Sequence, residues 1–236
     1  MTEFDGKIVV VTGAAGNLGR AVIQAFLGQG ATVFGLDYKT GRMADIRPPD
    51  DSNGTFFPID NLDVTNQAAM EKAADNVHQL AGPAYILINC LGGFAYGEPV
   101  YETGQETWER MMAINAGSFL NLSRCFIPDL LVKGTGRVVA VAAGASLKGG
   151  AKMGAYSAAK AALLRLVESL AAEVSGTDIK VNCVIPRTID TPQNLAEMPN
   201  ADRSKWVPTE AVAEVILFLA SSGVAYVNGV ALPVKG

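Results

Sequence analysis

Residues 7 to 37 constrain the fold more than any other part of the chain, because they fit a strand, a glycine-marked turn, a helix and a second strand into about the ~30 residues that one βαβ unit needs. Lys7 to Thr12 is rich in β-branched residues and stops at a glycine. Leu18 to Gly28 then puts Val22, Ile23, Phe26 and Leu27 on one helical face, and Gly30 ends the helix. Ala31 to Leu36 is a second apolar strand running into Asp37. Two strands joined through a helix lie parallel, and a parallel sheet has to be covered on both faces, which is why both strands are apolar throughout.

The same alternation continues to the end of the chain. Phe56–Ile59, Tyr85–Cys90, Arg137–Ala142, Lys180–Val184 and Val230–Val234 read as strands, while Gln67–Leu80, Trp108–Leu131, Ala155–Val174 and Glu210–Ala220 read as helices. Residues 38 to 54, with Pro48, Pro49 and Gly54, read as a polar surface connection. The pattern predicts an α/β fold: a single doubly wound (Rossmann) domain over residues 1–236, with about seven parallel strands and helices on both faces. Ligands of such sheets lie beyond the strand C-termini.

Composition narrows the function classes. With 19 Lys+Arg against 23 Asp+Glu, the net charge of -4 lacks the basic footprint of a nucleic-acid binder. No apolar run approaches the ~20 residues of a membrane span, and no basic segment followed by a long apolar run opens the chain, so a cytoplasmic protein without a membrane partner is expected. Cys90, Cys125 and Cys183 are widely spaced among apolar neighbours and read as buried free thiols; with His78 the lone histidine and no CxxC pair, no metal site is expected. Charged residues make up 18%, below the usual ~25%, which leaves room for self-association.

Two constellations carry chemistry. In Thr12-Gly13-Ala14-Ala15-Gly16-Asn17-Leu18-Gly19, between strand and helix, glycines let the backbone approach a pyrophosphate, whose charge the helix N-terminus favours. Asp37, at the end of the next strand, is placed to accept hydrogen bonds from an adenosine ribose and to repel a 2′-phosphate, which favours NAD(H) over NADP(H), although Lys39 nearby keeps NADP(H) open. The second constellation is Tyr156-Ser157-Ala158-Ala159-Lys160, where a four-residue spacing at a helix start puts phenol and ammonium on one face. A lysine beside a phenol lowers its pKa from ~10 toward the working range and suits it to proton exchange.

With these motifs the chain resembles the short-chain dehydrogenase/reductase family from Lys7 onward. The ordered markers are the Thr12–Gly19 loop, Asp63-Val64, Asn89-Cys90-Leu91-Gly92, Asn115, Tyr156 with Lys160, and Pro186 with Thr191. The resemblance implies an NAD(P)-dependent enzyme in which Tyr156, Lys160 and Asn115 are catalytic, Asn115 holding a water that links Lys160 to solvent. It also implies a cofactor site of Gly13, Gly16, Asn17, Leu18, Gly19, Asp37, Asp63, Val64, Asn89, Gly92, Tyr156, Lys160, Ile185 and Thr191. Asp63 and Val64 would border the adenine, Asn89 and Gly92 the ribose region, and Ile185 and Thr191 the carboxamide. Homo-oligomers through the long helix and the tyrosine-bearing helix are implied as well.

The family pattern is broken at three places. Its middle loop glycine is Asn17, and its glycine after the sixth strand is Arg187, placed near the phosphates or at the surface. Its serine, 13 residues before the tyrosine, is Ala143. Three explanations of Ala143 stand: Ser146 reaches the site instead, the cofactor is bound without catalysis, or the substrate needs no serine. The third agrees with a local resemblance to the quinonoid dihydropteridine reductase branch, carried by Gly144–Gly149, Met153–Tyr156, Ile189–Asn194, Met198–Asp202 and Trp206, and by Gly92-Gly93-Phe94. A small-molecule reductase is therefore expected, acting on a conjugated imine or carbonyl under a substrate lid at 188–206. The alternatives are a 3-oxoacyl or ketone reductase or alcohol dehydrogenase, and, from another class, a non-catalytic NAD(H) sensor.

Overall fold

The computed structural model describes residues 2–235; Met1 and Gly236, the ends of the expected domain, lie outside them. The chain runs through β1 (Ile8–Thr12), α1 (Asn17–Gly28), β2 (Thr32–Leu36), β3 (Thr55–Ile59), α2 (Gln67–Ala81), β4 (Ile86–Asn89), α3 (Gln105–Met112), α4 (Ser118–Lys133), β5 (Thr135–Val141), α5 (Gly154–Glu173), β6 (Asp178–Pro186), β7 (Ile189–Asp190), α6 (Pro192–Glu197), β8 (Val207–Pro208), α7 (Thr209–Ala220) and β9 (Ala231–Val234). Seven strands form one sheet in the order β3-β2-β1-β4-β5-β6-β9, and every pairing is parallel. The expected single α/β domain with a seven-stranded parallel sheet is what the chain forms.

Alternate residues of each strand enter opposite layers. Val10, Phe34, Leu87, Val138 and Val181 pack beneath α2, α4 and α5, whereas Val9, Val33, Ile86, Val139 and Val184 pack beneath α1 and α7. A strand with helices on both sides has no face left for polar residues, which explains the unbroken apolar runs. The helical face read from sequence seals one layer: Val22, Ile23, Phe26 and Leu27 are fully buried, each contributing about 1.5–3 kcal/mol.

The strand order positions the site. After β3 the chain crosses back to lay β4 on the other side of β1, so the connections leaving β1 and β4 diverge and open a crevice at their C-terminal ends.

Three local features differ from the sequence reading. The helix expected over 108–131 is interrupted by a π-helical turn, Ala113–Gly117, between α3 and α4. The stretch expected as a lid loop, 188–206, contains the short strand β7, which pairs with β8, and the short helix α6, which Pro192 starts and Thr191 caps. Of the three free cysteines, Cys183 is fully buried and Cys125 half-buried, while Cys90 is partly exposed as a residue with its thiol withdrawn from water. No described helix is long and apolar enough to cross a membrane.

Candidate active site

The crevice has two flanks. On the first, β1 ends at Thr12, whose buried hydroxyl donates to Asn89 Oδ1 on β4 at 2.7 Å and ties the two strand ends together where their connections diverge. Gly13 turns with φ +68°, and a Cβ there would stand 2.7 Å from the Leu91 nitrogen. At Gly19 a Cβ would come within 2.2 Å of the Gly13 carbonyl oxygen, so helix and loop can approach only as glycines. Gly16 is the N-cap of α1 and has no side chain to satisfy the first N–H groups of that helix, which belong to Asn17, Leu18 and Gly19. Leu18 is buried and offers the crevice only its backbone.

Asp37 closes this flank. Its Oδ2 accepts from the Ala15 N–H at 3.0 Å and its Oδ1 from the Lys39 N–H at 2.9 Å, which fixes a carboxylate under the glycine loop. Exposed Asp63 accepts from the Thr65 N–H and hydroxyl, while α2 is capped by Asn66. The Val64 side chain lies in the core, so only its backbone can border a ligand. Asn89 is fully buried and its Nδ2 has no partner.

The second flank carries Tyr156 and Lys160 in the first turns of α5. Lys160 is 5% exposed and its Nζ donates to the Val141 carbonyl oxygen at 2.9 Å, across from β5. A Cβ on Gly92 would sit 3.0 Å from both Lys160 Nζ and Asn115 Oδ1, so the bare glycine leaves room for both groups. Asn115 lies in the π turn with its carboxamide pinned three ways: Nδ2 donates to Met111 O (3.0 Å) and Gly93 O (3.1 Å), and Oδ1 accepts from Gly93 N–H (3.2 Å). π turns within helices are frequent at functional sites.

One expectation is overturned in the free protein. Burial pushes the Tyr156 phenol up to about 12 and the Lys160 ammonium down to about 8. Lys160 is aimed at a carbonyl and does not lower the phenol; removal from water dominates both groups. Burial likewise pushes the Cys90 and Cys183 thiols, which flank Lys160, up to about 12 and about 11, so both stay protonated.

A cleft of about 1170 Å³ opens in front of Tyr156. Ala143, which has no hydroxyl, lines it. Ser146 does not replace the missing hydroxyl: it sits in the turn Gly144–Ser146 and its Oγ donates back to the Ala143 carbonyl oxygen at 2.7 Å. Arg187 is exposed and lines the cleft. Ile185 is buried at the end of β6, and Thr191 Oγ1 is committed to capping α6 at Asn194 N–H, 3.2 Å.

Among the cleft residues that the sequence reading missed are Tyr96 and Lys152. Tyr96 stacks on Phe94 (6.4 Å, 9°), and Phe94 meets Tyr156 edge-on (4.9 Å, 86°). Lys152 holds the left-handed region at φ +61° while its carbonyl accepts from Gly97 N–H at 2.9 Å, clasping the two wall segments. An aromatic two residues beyond Phe94 was the available signal for Tyr96; a lysine in a glycine-rich run gives none for Lys152.

The short chain dehydrogenase family profile matches residues 7–201. The chain belongs to the short-chain dehydrogenases/reductases. It is thus an NAD(P)-dependent oxidoreductase. It is 34% identical over 250 residues to an uncharacterized short-chain type dehydrogenase/reductase of Sinorhizobium fredii, covering 98% of this chain and 96% of the relative. A 3-oxoacyl-[acyl-carrier-protein] reductase of Salmonella typhimurium is 30% identical over 242 residues, 99% of this chain and 98% of that one. Among solved structures, L-sorbose reductase from Gluconobacter frateurii, complexed with NADPH and L-sorbose, superposes with a TM-score of 0.90 at 22% identity, covering 98% of this chain and 95% of its own; at that identity the likeness concerns the fold.

Proposed function

We propose that this short-chain reductase uses NADH to reduce a conjugated imine or carbonyl in a flat ring, of the kind a quinonoid dihydropteridine presents. The observation that carries the reading is that Ala143 lines the cleft with no hydroxyl to offer while the Ser146 hydroxyl is turned back onto its own turn. An isolated carbonyl under reduction concentrates negative charge on oxygen and gains from a second fixed donor. A conjugated imine spreads that charge into its ring, and one proton from Tyr156 suffices. The wall of Phe94 and Tyr96 beside Tyr156 supports a planar substrate, since offset or edge contact with an aromatic face is favourable.

The glycine cradle, the uncapped N-terminus of α1 and the fixed Asp37 fit a dinucleotide with an unphosphorylated ribose: free N–H groups would hold the pyrophosphate, and the carboxylate would accept from the ribose and repel a 2′-phosphate. Bound nicotinamide supplies the hydride. Tyr156, protonated through neutral pH, gives the proton to the substrate. Lys160 holds positive charge next to the ribose region at Gly92, and Asn115 keeps its orientation through Gly93 and Met111. Residues 188–206 act as the lid. An apolar groove lined by Ala113, Leu120, Ala162 and Leu166, between the interrupted helix and α5, supports pairing of two copies there.

The test compares NADH and NADPH oxidation with quinonoid dihydropterin, a 3-oxoacyl thioester and simple ketones. Fastest turnover with NADH and the pterin is expected; reduction of the thioester without the pterin would replace this reading by 3-oxoacyl reduction, which the 30% identical Salmonella relative favours.

A further inference from the structure

Residues 188–206 form an arm fixed at its base. There β7 and β8 pair Ile189 with Val207 and Asp190 with Pro208, Trp206 and Val207 are buried, and Arg203 grips Asp190 through two bonds of 2.8 Å. Farther out, Asn194 Nδ2 donates to Ile189 O at 2.7 Å and its N–H to the Thr191 hydroxyl, so α6 is braced from within the arm. Among the described residues a single hydrogen bond joins α6 to another part of the domain. Asn17 Nδ2 donates to Gln193 Oε1 at 2.5 Å, across 176 positions of sequence.

The two ends of that bond lie at the two functional flanks. Asn17 is the first residue of α1, directly after uncapped Gly16, where the backbone N–H groups face the crevice. Helix α6 turns Asn194 and Glu197 toward the Tyr156 cleft, followed by Met198. One short helix therefore roofs the cleft with one side and touches the glycine loop with another. Only a side chain at position 17 makes this contact; the glycine of the family pattern has none.

We propose that Asn17 and Gln193 form a latch that holds α6 down across the crevice, so that the coenzyme leaves only after the pair parts. The inference rests on the NADH reading above. A neutral amide pair at the surface contributes a net effect of roughly 2- to 10-fold in an equilibrium, strong enough to slow release yet weak enough to open in every turnover. Lid opening of this kind often sets kcat. Because neither amide titrates, the latch holds equally across the pH range of the enzyme.

The variants N17G, Q193A and the double variant test it by two readouts. Hydrogen exchange of the Leu195 and Met198 amides in the free protein is expected to quicken roughly 2- to 10-fold in each single variant, with no further gain in the double. Stopped-flow release of NADH should quicken by a similar factor. Unchanged exchange in both single variants, or effects that multiply in the double, would overturn the latch even if the parent binds NADH. Faster exchange in the single variants of a parent that fails to bind NADH would instead keep the tie between α6 and the loop and overturn its role toward the coenzyme.

Discussion

The glycine-loop flank and the Tyr156 flank of the crevice are built by different means. The first is backbone: two glycines without room for a Cβ, an uncapped helix and one carboxylate, all within the initial βαβ unit. The second is assembled from four distant segments, around Phe94, Asn115, Ala143–Tyr156 and Arg187–Met198, whose side chains meet only in the folded chain. A flank made of backbone has one solution and tolerates few changes, whereas a flank made of side chains can change its substrate while its frame stays in place.

The sharpest way to separate the flanks is to disable one. Tyr156→Phe is expected to lower turnover about 10²- to 10⁴-fold while NADH affinity, followed by fluorescence titration, stays near that of the parent. Equal loss of both would merge the two flanks into one unit. Gly19→Ala should do the reverse through the backbone: overpacking against the Gly13 carbonyl costs about 1–3 kcal/mol, read as a lower Tm together with weakened NADH binding.

Smaller effects sharpen the contrast. Asp37→Ala should move the NADH:NADPH ratio of kcat/KM about 10-fold toward NADPH, and an unmoved ratio would remove Asp37 from selection. For the second flank, Lys160 should add stability as pH rises from about 8, where the buried ammonium loses its proton, because an unfolded lysine keeps its own to ~10.5. Above ~9 the buried Cys90 and Cys183 thiols oppose it, since unfolded thiols ionise there and these do not, so the net rise is confined to about pH 8 to 9. Stability should then fall from ~9 toward about 12, first through those two thiols and from ~10 also through Tyr156, which stays protonated where an unfolded tyrosine is ionised. Denaturant melts across pH 7 to 11 with Lys160→Met as control, which abolishes the rise, check this. Smallest of all, Ser146→Ala should leave turnover unchanged; a loss of 10-fold or more would return the Ser146 hydroxyl to the mechanism.

The same contrast explains what could be read before folding. The sheet, its order-setting βαβ unit and the glycine cradle were legible because they depend on local periodicity and on residues close in sequence, such as Gly13, Gly19 and Asp37. The direction of the Ser146 hydroxyl, the stack of Tyr96 on Phe94 and the bond from Asn17 to Gln193 depend on contacts that no local pattern encodes. The π turn at Ala113–Gly117 escaped because its residues continue a helical pattern, and the Tyr156 and Lys160 pKa values because a four-residue spacing says nothing of how deeply both groups are buried.

That π turn has a consequence for how the enzyme tolerates insertion and deletion. Successive residues of a regular helix are rotated by about 100°, so one extra residue turns everything beyond it to a new bearing. Removing a single residue between Met112 and Ser118 would restore unbroken winding and swing Asn115 out of register with either Met111 or the loop at Gly93, unfastening the amide without altering any side chain that touches it.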